Sequence, residues 1–295
     1  MKNNKKSTST LPKNIQLTFV TAAAIALVMN AIYYIGLLLR VYPQGMRLSQ
    51  FSVMAITLIV LPALLFVIAY VVYKKGSSQL ERFFNATLLA TVGLAIHTII
   101  LIIERLLTQH YDIYTGMPVG TWIPLVSVSI AVASYLVILL TLSSPKKNPT
   151  RCLQLTAVAL VVVAFIANAI FNISSLVLQH VDSDNVTNLL TNPLLITPVV
   201  LPIAFFATAY LTASKANGRL SRLFTAVVYT LVGTLAIWIT TVFFNLGIWT
   251  LSIGDAASVH ALDLPTIFTA FLSLAVYTFL IVTHNRTTKK KATKK

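Results

Sequence analysis

Long apolar runs, separated by short polar segments, make up most of the chain. Each run lasts about twenty residues without alternating between apolar and polar positions, which is the length of a helix that crosses a bilayer. Strands of a membrane barrel would alternate over about ten residues, so the runs predict α-helices. Eight helices are predicted, at approximately 16–39, 51–73, 83–107, 121–142, 153–178, 193–213, 223–250 and 264–282. The first run exceeds the apolar region of a cleaved signal peptide and is predicted to remain as a spanning helix.

One stretch of this pattern occurs twice. Residues 60–93 align with residues 200–233 without a gap, and 13 of the 34 aligned pairs are identical. The identical pairs include residues that a shared apolar bias does not readily produce, namely Pro62 and Pro202, Tyr70 and Tyr210, Lys75 and Lys215, and Arg82 and Arg222. Two four-helix units are therefore predicted. Because each unit has an even number of spans, both start on the same side of the membrane, and the repeats are predicted to be parallel.

The repeat and the polar segments divide the chain into five parts. Basic cytoplasmic tails are predicted at 1–15 and 284–295, four-helix membrane units at 16–142 and 153–283, and a cytoplasmic linker at 143–152. The predicted fold class is all-α: a polytopic integral membrane protein with eight transmembrane helices and with both termini in the cytoplasm.

Each unit carries three features in the same order. They are a second helix that contains Pro62 or Pro202, a basic turn that ends near Arg82 or Arg222, and a long third helix. In these features each unit resembles an uncharacterised bacterial four-helix membrane domain of unknown function. The resemblance implies a bacterial membrane protein, and it implies no biochemical activity.

The distribution of charge supports the predicted topology. Only 10% of the residues are charged and 57% are hydrophobic, whereas a soluble domain has about 25% charged residues. Of the 22 basic residues, 19 fall in segments predicted to be cytoplasmic, and only Arg40, Arg47 and Arg105 face outward. This positive-inside pattern predicts a plasma-membrane protein. The formal charge of +15 therefore reflects topology rather than nucleic-acid binding, and the basic tails are predicted to contact anionic lipid headgroups.

Two asparagines are duplicated near the middle of predicted spans. Asn30 shares a helix face with Tyr34, and Asn168 shares one with Asn172, because each pair is four residues apart. One interpretation is a polar site between the two units, as in transporters built from repeats. The alternative is hydrogen bonding between helices, which is worth about 0.6 kcal/mol and at most about 1–2 kcal/mol.

An ionisable pair lies in the third predicted helix. Glu104 follows His97 by seven residues, so both lie on one face, with Glu104 two turns nearer the outer surface. Ionisable groups inside a membrane are candidates for function, and the pair suggests a proton or cation path. The alternative is a histidine hydrogen-bonded between helices and a glutamate paired with Arg105 or lipid headgroups. In the repeat, with one residue inserted, His97 aligns with Trp238, so the ionisable pair is not duplicated.

Prolines interrupt two predicted helices. Pro62, Pro198 and Pro202 are candidate kinks because proline removes a backbone donor. A kink serves as a hinge in some proteins and as a packing feature in others. Gly93 and Gly233 are predicted to allow close approach of neighbouring helices.

No pattern in the chain indicates enzyme chemistry. There is no Gly-rich phosphate loop, nucleophile elbow or zinc-protease motif. The histidines lack the spacing of a metal or haem site, so no metal and no cofactor is expected. Two functions remain: a transporter of a small solute or ion with its site between the repeats, or a non-catalytic membrane scaffold that binds a partner.

Overall fold

The chain forms a bundle of α-helices. The computed structural model describes residues 11–41, 59–115, 122–144, 149–180, 199–213 and 218–251, and the predicted all-α class is confirmed for these residues. Seven helices lie within them, namely α1 Lys13–Val41, α2 Leu61–Val72, α3 Gln79–Thr115, α4 Trp122–Ser143, α5 Pro149–His180, α6 Leu201–Thr212 and α7 Arg219–Leu251. Each coincides with a predicted helix. The predicted eighth helix at 264–282, the C-terminal basic tail and most of the N-terminal tail lie outside the described residues.

Five of the seven helices are long and apolar enough to cross a membrane: α1, α3, α4, α5 and α7. The described parts of α2 and α6 are shorter apolar helices. Large apolar side chains are exposed on all seven, including Val28, Val67, Ile103, Val137, Ile166, Leu211 and Trp238. An apolar outer surface of this extent would be unfavourable in water and is typical of a bundle surrounded by lipid. The helices therefore indicate a multi-pass membrane protein.

Some helices extend beyond the apolar runs that predict them. The third predicted helix spans 83–107, whereas α3 begins at Gln79 and ends at Thr115. At its start the Glu81 amide donates to Ser78 Oγ at 3.2 Å, and the Glu81 carboxylate accepts from the Ser77 amide at 2.8 Å. This arrangement is a variant of the capping box, which starts a helix in polar sequence. The apolar run predicts only the apolar part of the helix, whereas the backbone hydrogen bonds of α3 continue into the polar residues at both of its ends.

The two helices that contain a duplicated proline have the same local irregularity. A turn of the wider π type occupies residues 59–60 and residues 199–200. Pro62 and Pro202 follow in the first turns of α2 and α6. Proline has no N–H to donate to the preceding turn. Regular α-helical hydrogen bonding is therefore interrupted at these positions, where the wider turns occur. Pro198, the third candidate kink, lies outside the described residues.

Helices α1, α3, α5 and α7 form the centre of the bundle. Helix α1 packs against α3 and α7, and α5 packs against the same two helices, so the four form a closed ring. We call these four helices the central ring. Helix α2 packs on α3 and α4, and α6 packs on α7. Helices α1 and α3 belong to the first predicted unit, and α5 and α7 belong to the second. The contacts of α1 with α7 and of α3 with α5 therefore form the interface between the units.

Glycines allow α2 and α6 to approach the ring closely. A Cβ atom built on Gly93 would lie 2.8 Å from Leu65 Cδ1, and one built on Gly233 would lie 2.6 Å from Phe205 Cδ2. Leu65 and Phe205 occupy aligned positions of the repeat. The close approach predicted at the two glycines is therefore present. Beside it, the buried Tyr135 hydroxyl on α4 donates to the Leu65 carbonyl at 3.0 Å.

Candidate functional site

A direct hydrogen bond joins the two predicted units at Asn30. The Nε1–H of Trp238 on α7 donates to Asn30 Oδ1 on α1 at 2.9 Å. Asn30 is half-buried and Trp238 is exposed over 42% of its surface. The bond uses the acceptor of the asparagine and leaves its two amide hydrogens free of any partner that the structure describes.

The second asparagine bonds within its own helix. Asn172 Nδ2 donates to the Asn168 carbonyl at 2.7 Å and to Asn168 Oδ1 at 3.2 Å. Both side chains are half-buried on α5. The two asparagines thus share a helix face as their spacing predicts, and the side-chain acceptor of Asn168 is occupied. Its amide hydrogens, like those of Asn30, have no acceptor among the described residues.

His97 is a buried polar side chain without a complete set of hydrogen bonds. It lies on α3 and exposes 5% of its surface, and its Nε2 atom has no partner in the part of the chain that the structure describes. A buried nitrogen without a partner costs about 1–3 kcal/mol. The expected interhelical hydrogen bond is therefore not made through Nε2 to any described residue.

Glu104 is engaged by a neighbouring helix. Its Oε2 atom accepts a hydrogen bond from Ser127 Oγ on α4, and Ser127 is buried. The seven residues between His97 and Glu104 correspond to about 10 Å along the axis of α3. The carboxylate is therefore held against α4 and is two helical turns from the imidazole. Sequence reasoning missed Ser127, because a single serine in an apolar helix gives no distinguishing pattern.

Four polar side chains occur at similar distances along the four helices of the central ring. Asn30, His97, Asn168 and Trp238 each lie 14 or 15 residues after the start of their predicted apolar run. At 1.5 Å per residue this is about 21–22 Å from the start of each predicted run. We call these four residues the polar layer. Trp238 belongs to it although the sequence did not single it out as a site residue; its alignment with His97 in the repeat was the available signal.

The remaining predicted site features are less informative. The backbone of Tyr34 belongs to α1, while its side chain is outside the described part of the chain. Within the described residues, no three His, Cys, Asp or Glu side chains come together as a metal site would require. The geometry accordingly directs attention to the hydrogen-bonding groups of the polar layer.

Comparison of the chain with protein-family models, with curated proteins and with solved structures found no match in any of the three. The resemblance of each unit to a four-helix membrane domain therefore remains a prediction.

Proposed function

We propose that the protein is a transporter of a small solute or ion, with its site in the polar layer between two parallel four-helix units. The proposal includes eight spanning helices, cytoplasmic termini and a location in a bacterial plasma membrane. The observation that carries it is the Nε2 atom of His97, which is buried and has no partner among the described residues. A buried polar group inside a membrane bundle is costly, so an unpartnered one favours a ligand.

The contacts between helices support the proposed pair of units. Exchanging the halves exchanges α1 with α5, α2 with α6 and α3 with α7. The packing of α2 on α3 then corresponds to that of α6 on α7, and the packing of α1 on α7 corresponds to that of α5 on α3. The packing of α1 on α3 likewise corresponds to that of α5 on α7. This correspondence is what a gene duplication with parallel repeats predicts.

The repeat also relates the two pairs of the polar layer. Asn30 bonds to Trp238, and the corresponding pair is Asn168 with His97. In the second pair Asn168 bonds to Asn172 instead, and Nε2 of His97 remains without a partner among the described residues. The first pair is thus joined by a direct hydrogen bond. The second pair, Asn168 and His97, is not joined, and we call it the open pair. We place the solute site at the open pair, between α3 and α5.

The free hydrogen-bonding groups favour a particular class of solute. Both asparagines have their side-chain oxygens occupied and their amide hydrogens available. Glu104, the acidic residue on the same face of α3 as His97, accepts a hydrogen bond from Ser127. It lies two helical turns from His97. Amide N–H groups pair with oxygen-bearing solutes or small anions better than with bare cations. The geometry therefore favours such a solute over the cation path that His97 and Glu104 suggest together.

The proposal is tested by flux measurements on the full chain in liposomes. Chloride, potassium and proton gradients are imposed in turn, and ion movement is followed with entrapped indicators. We expect wild-type protein to dissipate the chloride gradient and His97→Leu to fall to the level of empty liposomes. Thr98→Val is the matched control, because this half-buried neighbour bonds only its own helix, through the Leu94 carbonyl at 2.9 Å. A selective proton or potassium flux would support transport but contradict the proposed class of solute.

A second candidate function is a membrane scaffold that binds a partner. The Asn30–Trp238 bond favours it, because such a bond holds two helices together without any solute. If wild-type liposomes dissipate no gradient, the double variant Asn30→Leu, Asn168→Leu distinguishes the cases. If the protein is a scaffold, we expect the double variant to unfold in detergent with a free energy within about 1 kcal/mol of wild type, or higher. Growth of the host should then be unchanged.

A further inference from the structure

An arginine lies beside a tyrosine at the start of both α3 and α7. The Arg82 guanidinium carbon lies 6.0 Å from the centre of the Tyr70 ring, and that of Arg222 lies 4.1 Å from the Tyr210 ring. The four residues form two aligned pairs of the repeat. Both pairs lie at the end predicted to face the cytoplasm, where the second and third helices of each unit meet.

The two arginines differ in their hydrogen bonds. Arg222 Nε donates to the Tyr210 carbonyl in the last turn of α6 at 2.8 Å. Arg82 Nε is buried and has no acceptor among the described residues. A charged donor without an acceptor is unfavourable, and a guanidinium pairs best with a planar or tetrahedral oxyanion. Nε of Arg82 therefore lacks an acceptor among the described residues, whereas Nε of Arg222 has one.

Two acceptors in the turn that precedes Arg82 are already in use. Glu81 Oε2 accepts from Ser77 N at 2.8 Å and from Ser77 Oγ at 2.5 Å. The Lys75 carbonyl accepts from Asn85 Nδ2 at 2.9 Å. These bonds fix the turn before α3 and direct its carboxylate toward Ser77. Neither of these two acceptors bonds to Arg82 Nε, which has no partner among the described residues.

The turn also holds the Arg82 side chain in place. A Cβ atom on Gly76 would lie 2.8 Å from Arg82 Cγ, so the stem of the arginine packs directly on the glycine. The guanidinium also lies beside Tyr70, whose ring stacks with Phe83 at a centroid distance of 5.1 Å. The guanidinium is thus positioned before any ligand arrives, and the exposed Lys74 adds a second positive charge on the same turn.

We propose that Arg82 binds the phosphate group of an anionic lipid of the cytoplasmic leaflet, with Lys74 as a second contact. The phosphate oxygens supply acceptors to the guanidinium, whose Nε has none among the described residues, and the bond between guanidinium and phosphate is charge-assisted. Basic residues at the cytoplasmic ends of membrane helices attract anionic headgroups. This site is separate from the polar layer and does not depend on transport.

The test measures lipid binding to the full-length protein in detergent by native mass spectrometry. Short-chain phosphatidylglycerol and phosphatidylcholine are titrated onto wild type, Arg82→Gln, Arg222→Gln and Lys74→Gln. We expect wild type to prefer phosphatidylglycerol, and Arg82→Gln to weaken that binding about fivefold, which corresponds to roughly 1 kcal/mol per basic residue. Arg222→Gln is the matched control and retains the affinity of wild type. Lys74 is exposed, so Lys74→Gln folds as wild type does and is expected to bind phosphatidylglycerol more weakly.

Four outcomes decide the proposal. Equal affinity of wild type and Arg82→Gln for phosphatidylglycerol overturns it, as does equal affinity of wild type for the two lipids. If Arg82→Gln does not fold, unchanged binding by Lys74→Gln overturns it. Excess inorganic phosphate distinguishes the source of the anion: displacement of the bound lipid by phosphate alone would assign the site to a free anion, while retention of the lipid supports the lipid site.

Discussion

At the scale of single residues, aligned positions of the repeat differ in their hydrogen-bond partners. Arg82 and Arg222 are identical, yet only Arg222 has an acceptor for Nε among the described residues. At the aligned positions His97 and Trp238 the residue itself differs: Trp238 bonds to Asn30, whereas His97 Nε2 has no partner among the described residues. The partner of Arg222 is the carbonyl of Tyr210, and the partner of Trp238 is the side chain of Asn30. The member of each pair without a described partner is where a ligand is proposed.

The packing at the duplicated glycines gives a prediction at this scale. At Gly233 an added methyl group would contact the Phe205 ring, which is fully buried, so we expect Gly233→Ala to destabilise the protein by about 1–3 kcal/mol. The gain in helix propensity of about 1 kcal/mol offsets part of this cost. Thermal unfolding in detergent measures the change. At Gly93 the nearest atom is the end of a flexible Leu65 side chain, so a smaller effect is expected there.

A repacking variant provides the control for this prediction. Phe205→Leu should restore most of the stability of Gly233→Ala, because it removes the ring atoms that the new methyl group meets. A Gly233→Ala variant that melts at or above the temperature of wild type would contradict the close packing of α6 on α7.

At the scale of helices, the turn between α2 and α3 also stabilises the end of α4. Lys75 Nζ donates to the Leu142 carbonyl at 2.9 Å and to the Ser144 carbonyl at 3.0 Å. Carbonyls at the C-terminus of a helix lack intrahelical partners and carry the negative end of the helix dipole, so a lysine there is doubly favourable. A residue far away in sequence thus caps α4 and ties it to the α2–α3 pair.

Removing this lysine should loosen the end of α4. We expect Lys75→Met to lower the free energy of unfolding by about 1 kcal/mol and to speed amide hydrogen exchange in the last turn of α4. The adjacent Lys74→Met is the control, because Lys74 is exposed and should leave both quantities unchanged. Equal behaviour of the two variants would show that charge on the turn, and not the two hydrogen bonds, determines stability.

At the scale of the whole molecule, the central ring joins the two predicted units through their odd-numbered helices. Helices α1 and α5 each contact both α3 and α7, so neither unit packs only within itself. The proposed parallel repeats place the odd-numbered helices of both units in the same direction across the membrane. One missing or additional span would reverse the second unit.

Cysteine labelling tests this topology. In a Cys152→Ser background, which contains no other cysteine, we introduce either Lys74→Cys or Thr121→Cys. A maleimide that does not cross membranes should label the second variant in intact cells and the first only after permeabilisation. Labelling of both from the same side would contradict the proposed arrangement.

The amount that the sequence could predict differs between the helices and the site. Apolar run length places a helix at each of the seven described positions, because a chain inside a bilayer must satisfy its own backbone. The ends of α3 were less predictable, since capping by Ser78 and Glu81 extends the helix into polar sequence. The spacing of Asn168 and Asn172 was sufficient to place them on one face. No spacing rule relates Asn30 to Trp238, which are 208 residues apart.

The sequence by itself determined the helical class, the positions of the described helices and the alignment of 60–93 with 200–233, because each follows from local composition and period. Only the tertiary structure decided which hydrogen-bonding groups are satisfied. The acceptor of Asn30 is occupied by Trp238, whereas His97 Nε2 and Arg82 Nε have no partner among the described residues. Pairing depends on which groups of neighbouring helices meet, and the two aligned units of the repeat can therefore differ in which of their groups have a partner.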